Sequence, residues 1–302
     1  MTSFLQAFVN AVTLGSVYAL IAVGIGLVFG VMRLVNFAYG QLIMVGGFAL
    51  AVTIDWPVAA SIAACFATVV VFSLGMEFTV FRPLRTASPQ TMLVTTFAVS
   101  FLLQAIALVK FGTFGRPANS LGQLNRAVSL GNVDIRYITF AALGVAAFAL
   151  VALVLLLERT TIGLQLRAAA ADPLTARLLG VKADVVITVA VVIAGLLAAA
   201  VAVILTVQSP IVTSDYGLRE TIIVLVGVVV GGIDRLWTAT LGGFSIGFAT
   251  GMLGELLPSG DGWPFTRGVY LDSAVYLLVI VVLIARPAGL FAGKGRVGVE
   301  RV

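Results

Sequence analysis

Residues 221–253 read TIIVLVGVVVGGIDRLWTATLGGFSIGFATGML, and this apolar segment decides the predicted topology. Gly231, Gly232, Asp234 and Arg235 break it, so its first arm has roughly eleven residues and measures about 16 Å as a helix. That length is about half of a bilayer core. We therefore predict two half-helices, re-entrant or nearly so, with two short complete spans as the alternative. The second arm contains small residues that favour close helix packing, namely Gly242, Gly243, Gly247 and Gly251.

The rest of the chain is a succession of longer apolar runs. Hydrophobic residues make up 61% of the chain and charged residues 10%, whereas soluble domains have about 25% charged residues. Each run is close to the ~20 residues that cross a bilayer. Spans are predicted at about 11–32, 36–54, 57–80, 91–112, 137–157, 186–208 and 271–290. The sequence thus predicts an all-α polytopic membrane protein, a single domain over residues 1–302. It would have about seven full transmembrane helices plus the broken pair, giving eight or nine hydrophobic segments.

The distribution of basic residues predicts the orientation. Basic residues lie at the ends of the spans rather than in one patch, so we expect a lipid bilayer and no nucleic acid as surroundings. If the N-terminus is outside, eleven Lys and Arg residues fall on one side and six on the other. The positive-inside rule then predicts a cytoplasmic C-terminus. This parity requires residues 221–253 to enter and leave the membrane on the same side.

The composition also excludes several chemistries. The chain has no histidine, which excludes the HExxH zinc motif, a Ser-His pair and a histidine proton relay. Its single cysteine, Cys65, lies in an apolar run and has no disulfide partner within the chain. We therefore expect no catalytic residue, no metal site and no cofactor, and we interpret Cys65 as a packing residue.

One charged stretch, LRAAAADPLTARLLGVKADVV at residues 166–186, lies between two apolar spans. Asp172 is a suitable N-cap, Pro173 occupies the first helical position and Gly180 follows the end of the helix. These signals predict a helix of about seven residues. A free helix of that length is marginal in water, so another surface is expected to hold it.

The side chains of this short helix offer a small apolar face. Leu174 and Leu178 lie four residues apart with Leu179 beside them, and Arg177 points elsewhere. Two arrangements remain open at this point. The helix either lies on its own bundle at the level of the lipid headgroups or inserts into a groove on a cytoplasmic partner.

The same stretch resembles a cytoplasmic loop of the branched-chain amino acid family of ABC transporter permeases. Three other segments are similar to that family: GLVFGVMRLVNFAYGQLIMVGGF (26–48), FRPLRTASP (81–89) and VVLIARPAGLFAGKGR (281–296). The resemblance extends over essentially the whole chain. It implies an importer subunit that moves branched-chain amino acids, related amino acids, amides or urea by alternating access.

The resemblance also implies the partners and the location. Residues of about 158–185 would form a coupling loop that contacts an ATPase through Asp172, Leu174, Arg177, Leu178, Leu179 and Gly180. The expected partners are a second, related permease in a heterodimer, two cytoplasmic ATPase subunits and an extracytoplasmic substrate-binding protein, in a bacterial-type inner membrane. The chain lacks a Walker A motif (GxxxxGK[ST]), so ATP hydrolysis is expected on the partner subunits and the chain itself is not expected to be an enzyme.

Polar residues inside the predicted spans are candidates for the translocation path, because unpaired polar groups are costly there. The candidates are Thr13, Ser16, Asn36, Tyr39, Gln41, Gly231 and Gly232. The alternative for each is structural, through hydrogen bonding within or between helices or through close packing. The resembling family usually has histidine where Tyr39 stands. Glu77 is expected to pair with Arg82 or to lie at the membrane interface, without a role in transport.

A rival from another class is an ion-coupled secondary transporter or a channel that works without an ATPase. Such proteins often place acidic residues in the middle of spans or contain an inverted repeat. In this chain the acidic residues lie near the ends of the predicted spans, and no clear repeat is visible.

Overall fold

The computed structural model describes residues 2–32, 36–85, 87–119, 122, 126–130, 133–171, 173–232, 236–256 and 267–286. Helices dominate these residues. They are α1 (Thr2–Met32), α2 (Tyr39–Val52), α3 (Val58–Met76), α4 (Pro89–Phe111), α5 (Tyr137–Arg159), α6 (Thr161–Ala171), α7 (Pro173–Leu178), α8 (Ala183–Gln208), α9 (Leu218–Gly231), α10 (Leu236–Leu256) and α11 (Arg267–Ala285). A π-helical segment, Glu77–Phe81, follows α3 directly.

Six of these helices are long and apolar enough to cross a membrane, whereas seven full spans were predicted. They lie at Phe4–Met32, Val58–Phe81, Pro89–Phe111, Tyr137–Arg159, Asp184–Gln208 and Leu236–Gly254. The last of these six lies in the broken segment, so two of the seven predicted spans have no counterpart among them. The span expected at 271–290 falls on α11, whose apolar described stretch is Ser273–Val282. The span expected at 36–54 falls on α2, which has only 14 residues. The Asn36 side chain accepts a hydrogen bond from the Ala38 amide at 3.0 Å. This local turn delays the start of the helix until Tyr39.

The broken segment forms an antiparallel helical hairpin. Gly231 on α9 packs against Thr238 and Gly242 of α10, and Gly227, one turn earlier, packs against Gly242 and Ile246. Helix α9 has 14 residues and measures about 21 Å, which is longer than the predicted half-helix but shorter than the ~30 Å of a bilayer core. The half-helix prediction is wrong for α10, whose 21 residues measure about 32 Å. The second arm has no breaking residue after its first turn, so the helix continues to full length.

Helix α1 lies at the centre of the bundle, and 83% of the residues in its most apolar stretch are buried. Its closest neighbour is α10, which runs antiparallel to it. Gly251 packs on Ala11 near one end of the contact, and Gly243 packs on Ala22 near the other. Between them Gly247 lies against Gly15. Small residues on both helices therefore bring the two backbones together, as the glycine pattern predicts.

Helices α3 and α8 form a second antiparallel contact. The Ser73 hydroxyl of α3 donates to the Val191 carbonyl of α8 at 2.8 Å, and Gly195 packs on the same serine. Cys65 is buried on this line, 4.0 Å from the Ala199 carbonyl oxygen. This position confirms that the thiol has a packing role.

Two short antiparallel strand pairs lie outside the helices. Strand β1 (Arg116–Pro117) pairs with β4 (Ile211–Val212), which follows α8. Strands β2 (Ala127–Leu130) and β3 (Val133–Arg136) form a hairpin before α5. Both pairs include residues between α4 and α5.

Candidate coupling loop and membrane path

The loop between α5 and α8 contains the short helix that the sequence predicts. Helix α7 has six residues, Pro173–Leu178, and Gly180 follows with φ +87°, a backbone conformation that favours glycine. The Leu179 amide donates to the Thr175 carbonyl at 3.1 Å, and the Val181 amide donates to the Ala176 carbonyl at 3.0 Å. These bonds satisfy the last carbonyls of the helix and confirm the predicted cap at Gly180.

Helix α7 has one buried side and one exposed side. Ala176 is buried, whereas Leu178 and Leu179 are 81% and 79% exposed. These two leucines therefore do not pack on the bundle. Of the other predicted contact residues, Asp172 lies outside the described residues, as do the side chains of Leu174 and Arg177.

Helix α6 (Thr161–Ala171) leads from α5 to this short helix. Its Leu166 and Ala169 are buried within the same core as the membrane helices. Gly163 lies so close to the Leu156 and Leu157 backbone that a larger residue would not fit. The base of the loop is thus packed on the bundle, and its tip presents exposed leucines.

The predicted path residues at the start of α2 are buried. Gln41 is fully buried and donates through Nε2 to the Ser100 hydroxyl of α4 at 3.0 Å. The Gln41 Oε1 atom and the Tyr39 hydroxyl have no hydrogen-bond partner in the described structure. Asn36 and Tyr39 border a cavity of about 10 Å³, which is room for about one water molecule. The other described residues around it are Val28, Leu42, Ser73, Met76, Phe81, Val191 and Ala194.

Helix α4 supplies polar partners that the sequence analysis missed. Thr96 and Ser100 are buried one turn apart, and Gln104 follows one turn later. The Phe37 amide donates to Thr96 Oγ1 at 3.4 Å, and Gln41 donates to Ser100. The spacing of four residues within an otherwise apolar helix was the available signal, since it places all three side chains on one face. Gln41 of α2 and the α4 residues Thr96, Ser100 and Gln104 together form a polar seam inside the membrane region.

The two candidates on α1 make hydrogen bonds of the kind that stabilise helix pairs. The Thr13 hydroxyl donates to the Val9 carbonyl and lies 2.9 Å from Thr139 Oγ1 of α5. Ser16 is buried, and its hydroxyl donates to the Val12 carbonyl at 2.8 Å. Neither residue borders the polar seam. These contacts fit the structural alternative, and a path role for either residue stays a prediction.

Gly231 and Gly232 lie at the end of α9. Gly231 is packed against α10, and Gly232 adopts φ +104° as the C-cap of α9. Their surroundings account for glycine at both positions through close approach and backbone conformation. A role in the path stays a prediction for this pair as well.

A wider groove of about 300 Å³ lies between α2, α3 and α4. Its lining is almost entirely apolar and includes Met44, Phe48, Phe72, Ile106 and Phe111, with Lys110 at one end. The seven predicted path residues are not among its lining residues. Among the described residues, no group of three or more Cys, Asp or Glu side chains is placed to hold a metal ion.

Glu77 lies beside the coupling loop and has a different partner from the one predicted. Its carboxylate pairs with Arg85, and the same guanidinium pairs with Asp184 in the first turn of α8. Arg82 lies 3.6 Å from Asp184 instead of pairing with Glu77. The expectation of an Arg82 partner was wrong, because the turn at residues 82–85 brings Arg85 to Glu77 and leaves Arg82 near Asp184.

Comparison with known families places the whole helical bundle in one family. The family model for the permease component of branched-chain amino acid transport systems matches residues 7–284. The chain belongs to this family. BraD of Pseudomonas aeruginosa, a high-affinity branched-chain amino acid transport system permease protein, is 30% identical over 313 residues, covering 99% of this permease and 98% of BraD. LivH of Escherichia coli K12, which carries the same description, is 28% identical over 320 residues, with coverage of 99% and 98%.

Solved structures show the same fold at low sequence identity. PsaBC from Streptococcus pneumoniae in complex with Fab aligns with a TM-score of 0.54 at 16% identity, covering 95% of this permease and 93% of that chain. A metal-chelate type ABC transporter in an inward-facing conformation aligns with a TM-score of 0.50 at 19% identity, covering 93% and 87%. The fold of this chain is therefore that of ABC transporter permeases, and the chain is a multi-pass membrane protein.

Proposed function

We propose that this permease is the membrane-spanning subunit of an ATP-driven importer for branched-chain or related amino acids, or for amides or urea. It works with a second, related permease, two cytoplasmic ATPase subunits and an extracytoplasmic binding protein in a bacterial-type inner membrane. Its N-terminus lies outside and its C-terminus in the cytoplasm. The observation that carries this proposal is the exposed pair Leu178 and Leu179 at the capped end of α7.

The exposed leucines favour a protein partner for α7. Full burial of a leucine side chain stabilises a contact by about 1.5–3 kcal/mol, so the pair offers about 3–6 kcal/mol before the costs of association are subtracted. Ala176, on the opposite side of α7 from Leu178, is already buried. The ATPase therefore meets a preformed apolar knob, and its closing and opening move the helix.

The second permease is expected to meet this chain through an apolar surface within the membrane. Helix α4 supplies one candidate surface, a row of large apolar side chains that includes Phe97 and Phe101, and its polar seam faces α2. In the proposed mechanism the path runs between the two permeases. Movement of α4 relative to α2 then changes the side of the membrane to which the polar seam opens.

Reconstitution with the ATPases and the binding protein tests this proposal. The wild-type transporter in vesicles is expected to accumulate radiolabelled leucine only with ATP, and unlabelled isoleucine, valine, glutamine, acetamide and urea are added as competitors. The variant carrying Leu178→Asp and Leu179→Asp is expected to lose ATPase binding during purification and to lose uptake. Two charged residues in an apolar groove remain desolvated without partners.

The matched control is Phe114→Asp, which places a charge on a side chain that is 96% exposed just beyond α4. This control is expected to retain ATPase binding. Normal ATPase binding and uptake by the double variant contradict the coupling role of α7. Uptake that follows an ion gradient without any ATPase contradicts the importer itself and favours the ion-coupled alternative.

A further inference from the structure

Four charged residues form a network where α3 ends and α8 begins. The Arg85 guanidinium lies between two carboxylates, with Nη2 on Glu77 Oε1 and Nη1 on Asp184 Oδ1. Arg82 contributes a second cation, 3.6 Å from the other oxygen of Asp184. Glu77 is fully buried and Arg85 is 11% exposed, whereas Asp184 is 61% exposed. The network thus extends from the interior of the bundle to its surface.

The π-helical segment Glu77–Phe81 makes the inner half of this network possible. In a continuous α-helix, Glu77 and Arg85 would lie about 12 Å apart along the axis. Instead, the Arg82 amide donates to the Glu77 carbonyl at 2.8 Å, five residues back, and the chain then turns. Arg85 therefore returns to the carboxylate of Glu77. Single π-helical turns inside α-helices are frequent at functional sites.

The outer half of the network begins directly after the coupling loop. Asp184 is in the first turn of α8, six residues after Leu178, the last residue of α7. A carboxylate is favourable at this helix end because of the helix dipole. The Thr188 hydroxyl donates to the Asp184 carbonyl at 2.8 Å and lies 3.5 Å from Glu77 Oε1. The start of α8 is thereby joined to the end of α3 through two side chains, Arg85 and Thr188.

We infer that Arg85 is the positioning residue that transmits displacement of the coupling loop to the turn between α3 and α4. This inference rests on the proposed function. When an ATPase moves α7, the start of α8 moves with it, and the Asp184–Arg85 contact carries the turn along. The turn leads into α4, the helix that bears the Thr96, Ser100 and Gln104 face of the polar seam.

The remaining contacts between α3 and α8 explain why this role falls on Arg85. Ser73 bonds to Val191, and Cys65 meets Ala199 farther along the same helices. These contacts hold the middles of α3 and α8 together, but they lie one turn or more from the loop. Without Arg85, the start of α8 moves while the turn after α3 stays in place. ATP hydrolysis then continues without being converted fully into transport.

The experiment measures uptake and ATP hydrolysis together in vesicles that contain the complete transporter. For Arg85→Gln, uptake is expected to fall by about 10-fold while ATP hydrolysis stays within about 2-fold of wild type. Asp184→Asn removes the exposed carboxylate and is expected to lower the ratio of uptake to ATP hydrolysis as well. The controls remove the same charges at exposed positions elsewhere, through Arg136→Gln and Asp55→Asn, and both are expected to keep the wild-type ratio.

A second readout separates transmission from loss of stability. Spin labels at exposed positions 185, at the start of α8, and 78 are each paired with a label at position 137, and the native Cys65 is buried and does not compete for labelling. Without further substitutions, ATP is expected to shift both distances. In Arg85→Gln, only the distance from position 185 is expected to shift.

The outcomes are distinct. A wild-type ratio of uptake to hydrolysis in Arg85→Gln overturns the inference, and so does continued movement at position 78. If Arg85→Gln does not assemble, Asp184→Asn decides in the same way, and a proportional loss of uptake and hydrolysis in that variant also overturns the inference. Absence of ATP-dependent uptake by the wild type refutes the proposed function, and this inference with it.

Discussion

The contact between α1 and α10 predicts that Gly247→Ala destabilises the bundle. A Cβ at position 247 would lie 2.8 Å from the Gly15 Cα, 2.8 Å from the Tyr18 Cβ and 2.9 Å from the Leu14 carbonyl oxygen. Real Cβ atoms essentially never approach other atoms closer than 3.0 Å. Two of these neighbours are backbone atoms, which cannot change rotamer to make room. The two helices must therefore separate along their most closely packed stretch.

The magnitude follows from a comparison with a second glycine. Gly144→Ala, on α5, introduces the same methyl group where no atom lies within 4 Å. Both substitutions gain the helix propensity of alanine, about 0.5–1 kcal/mol, so this gain cancels between them. The difference that remains is the cost of overpacking, about 1–3 kcal/mol. Gly247→Ala is expected to be less stable than Gly144→Ala by that amount.

Reversible unfolding in mixed micelles, followed by tryptophan fluorescence at increasing denaturant, measures the free energy of unfolding of each variant. Gly144→Ala is expected to match the wild type or exceed it, and Gly247→Ala is expected to fall below both. Equal stability of the two variants would refute the packing argument, because it would show that α1 and α10 are not in backbone contact at position 247.

Three further predictions concern the loop and the polar groups. Gly180→Ala forces alanine into a positive-φ conformation at a cost of about 1 kcal/mol, so ATPase binding in a pull-down titration is expected to weaken by about 5-fold. The control is Gly112→Ala, which imposes the same strain at the C-terminal end of α4, where φ is +82°. This variant is expected to leave ATPase binding unchanged. The pair Thr13→Val and Thr139→Val is expected to give a coupling energy of about 0.6 kcal/mol in a double-mutant cycle, and additive effects would contradict the hydrogen bond. Gln41→Leu is expected to lower uptake several-fold while changing the free energy of unfolding by less than about 1.5 kcal/mol, and unchanged uptake would restrict Gln41 to a structural role.

The features that the sequence predicts correctly depend on local signals. Apolar runs locate the long spans because the bilayer fixes their length, and a glycine after a short polar helix locates the cap at Gly180. Asn36 also carried a local signal, since asparagine favours a turn that competes with a helix. Hydropathy outweighed that signal in the prediction, so α2 was expected to be longer than its 14 residues.

The features that the sequence analysis missed depend on contacts between distant residues. Glu77 meets Arg85 only because a π-helical segment is followed by a turn at residues 82–85, and no composition signal marks that segment. Gln41 meets Ser100 from a different helix, 59 residues away. Spacing shows that Ser100 shares a face with Gln104, but the orientation of α4 decides which helix that face meets.

The packing of the helices divides the bundle into a close-packed part and a loosely held part. Helices α1, α9 and α10 are in backbone contact through glycines. Such contacts resist sliding, because close-packed helices fit together only in discrete arrangements and do not shift continuously. Helix α4 instead meets the bundle through separate side-chain contacts, such as the stacked rings of Phe48 and Phe111 and the hydrogen bond of Ser100. Few contacts have to change for α4 to move, so it is the element best suited to alternate between two positions. The charged network ends at the turn before α4, so under the proposed coupling a displacement of the start of α8 would reach α4 through this turn.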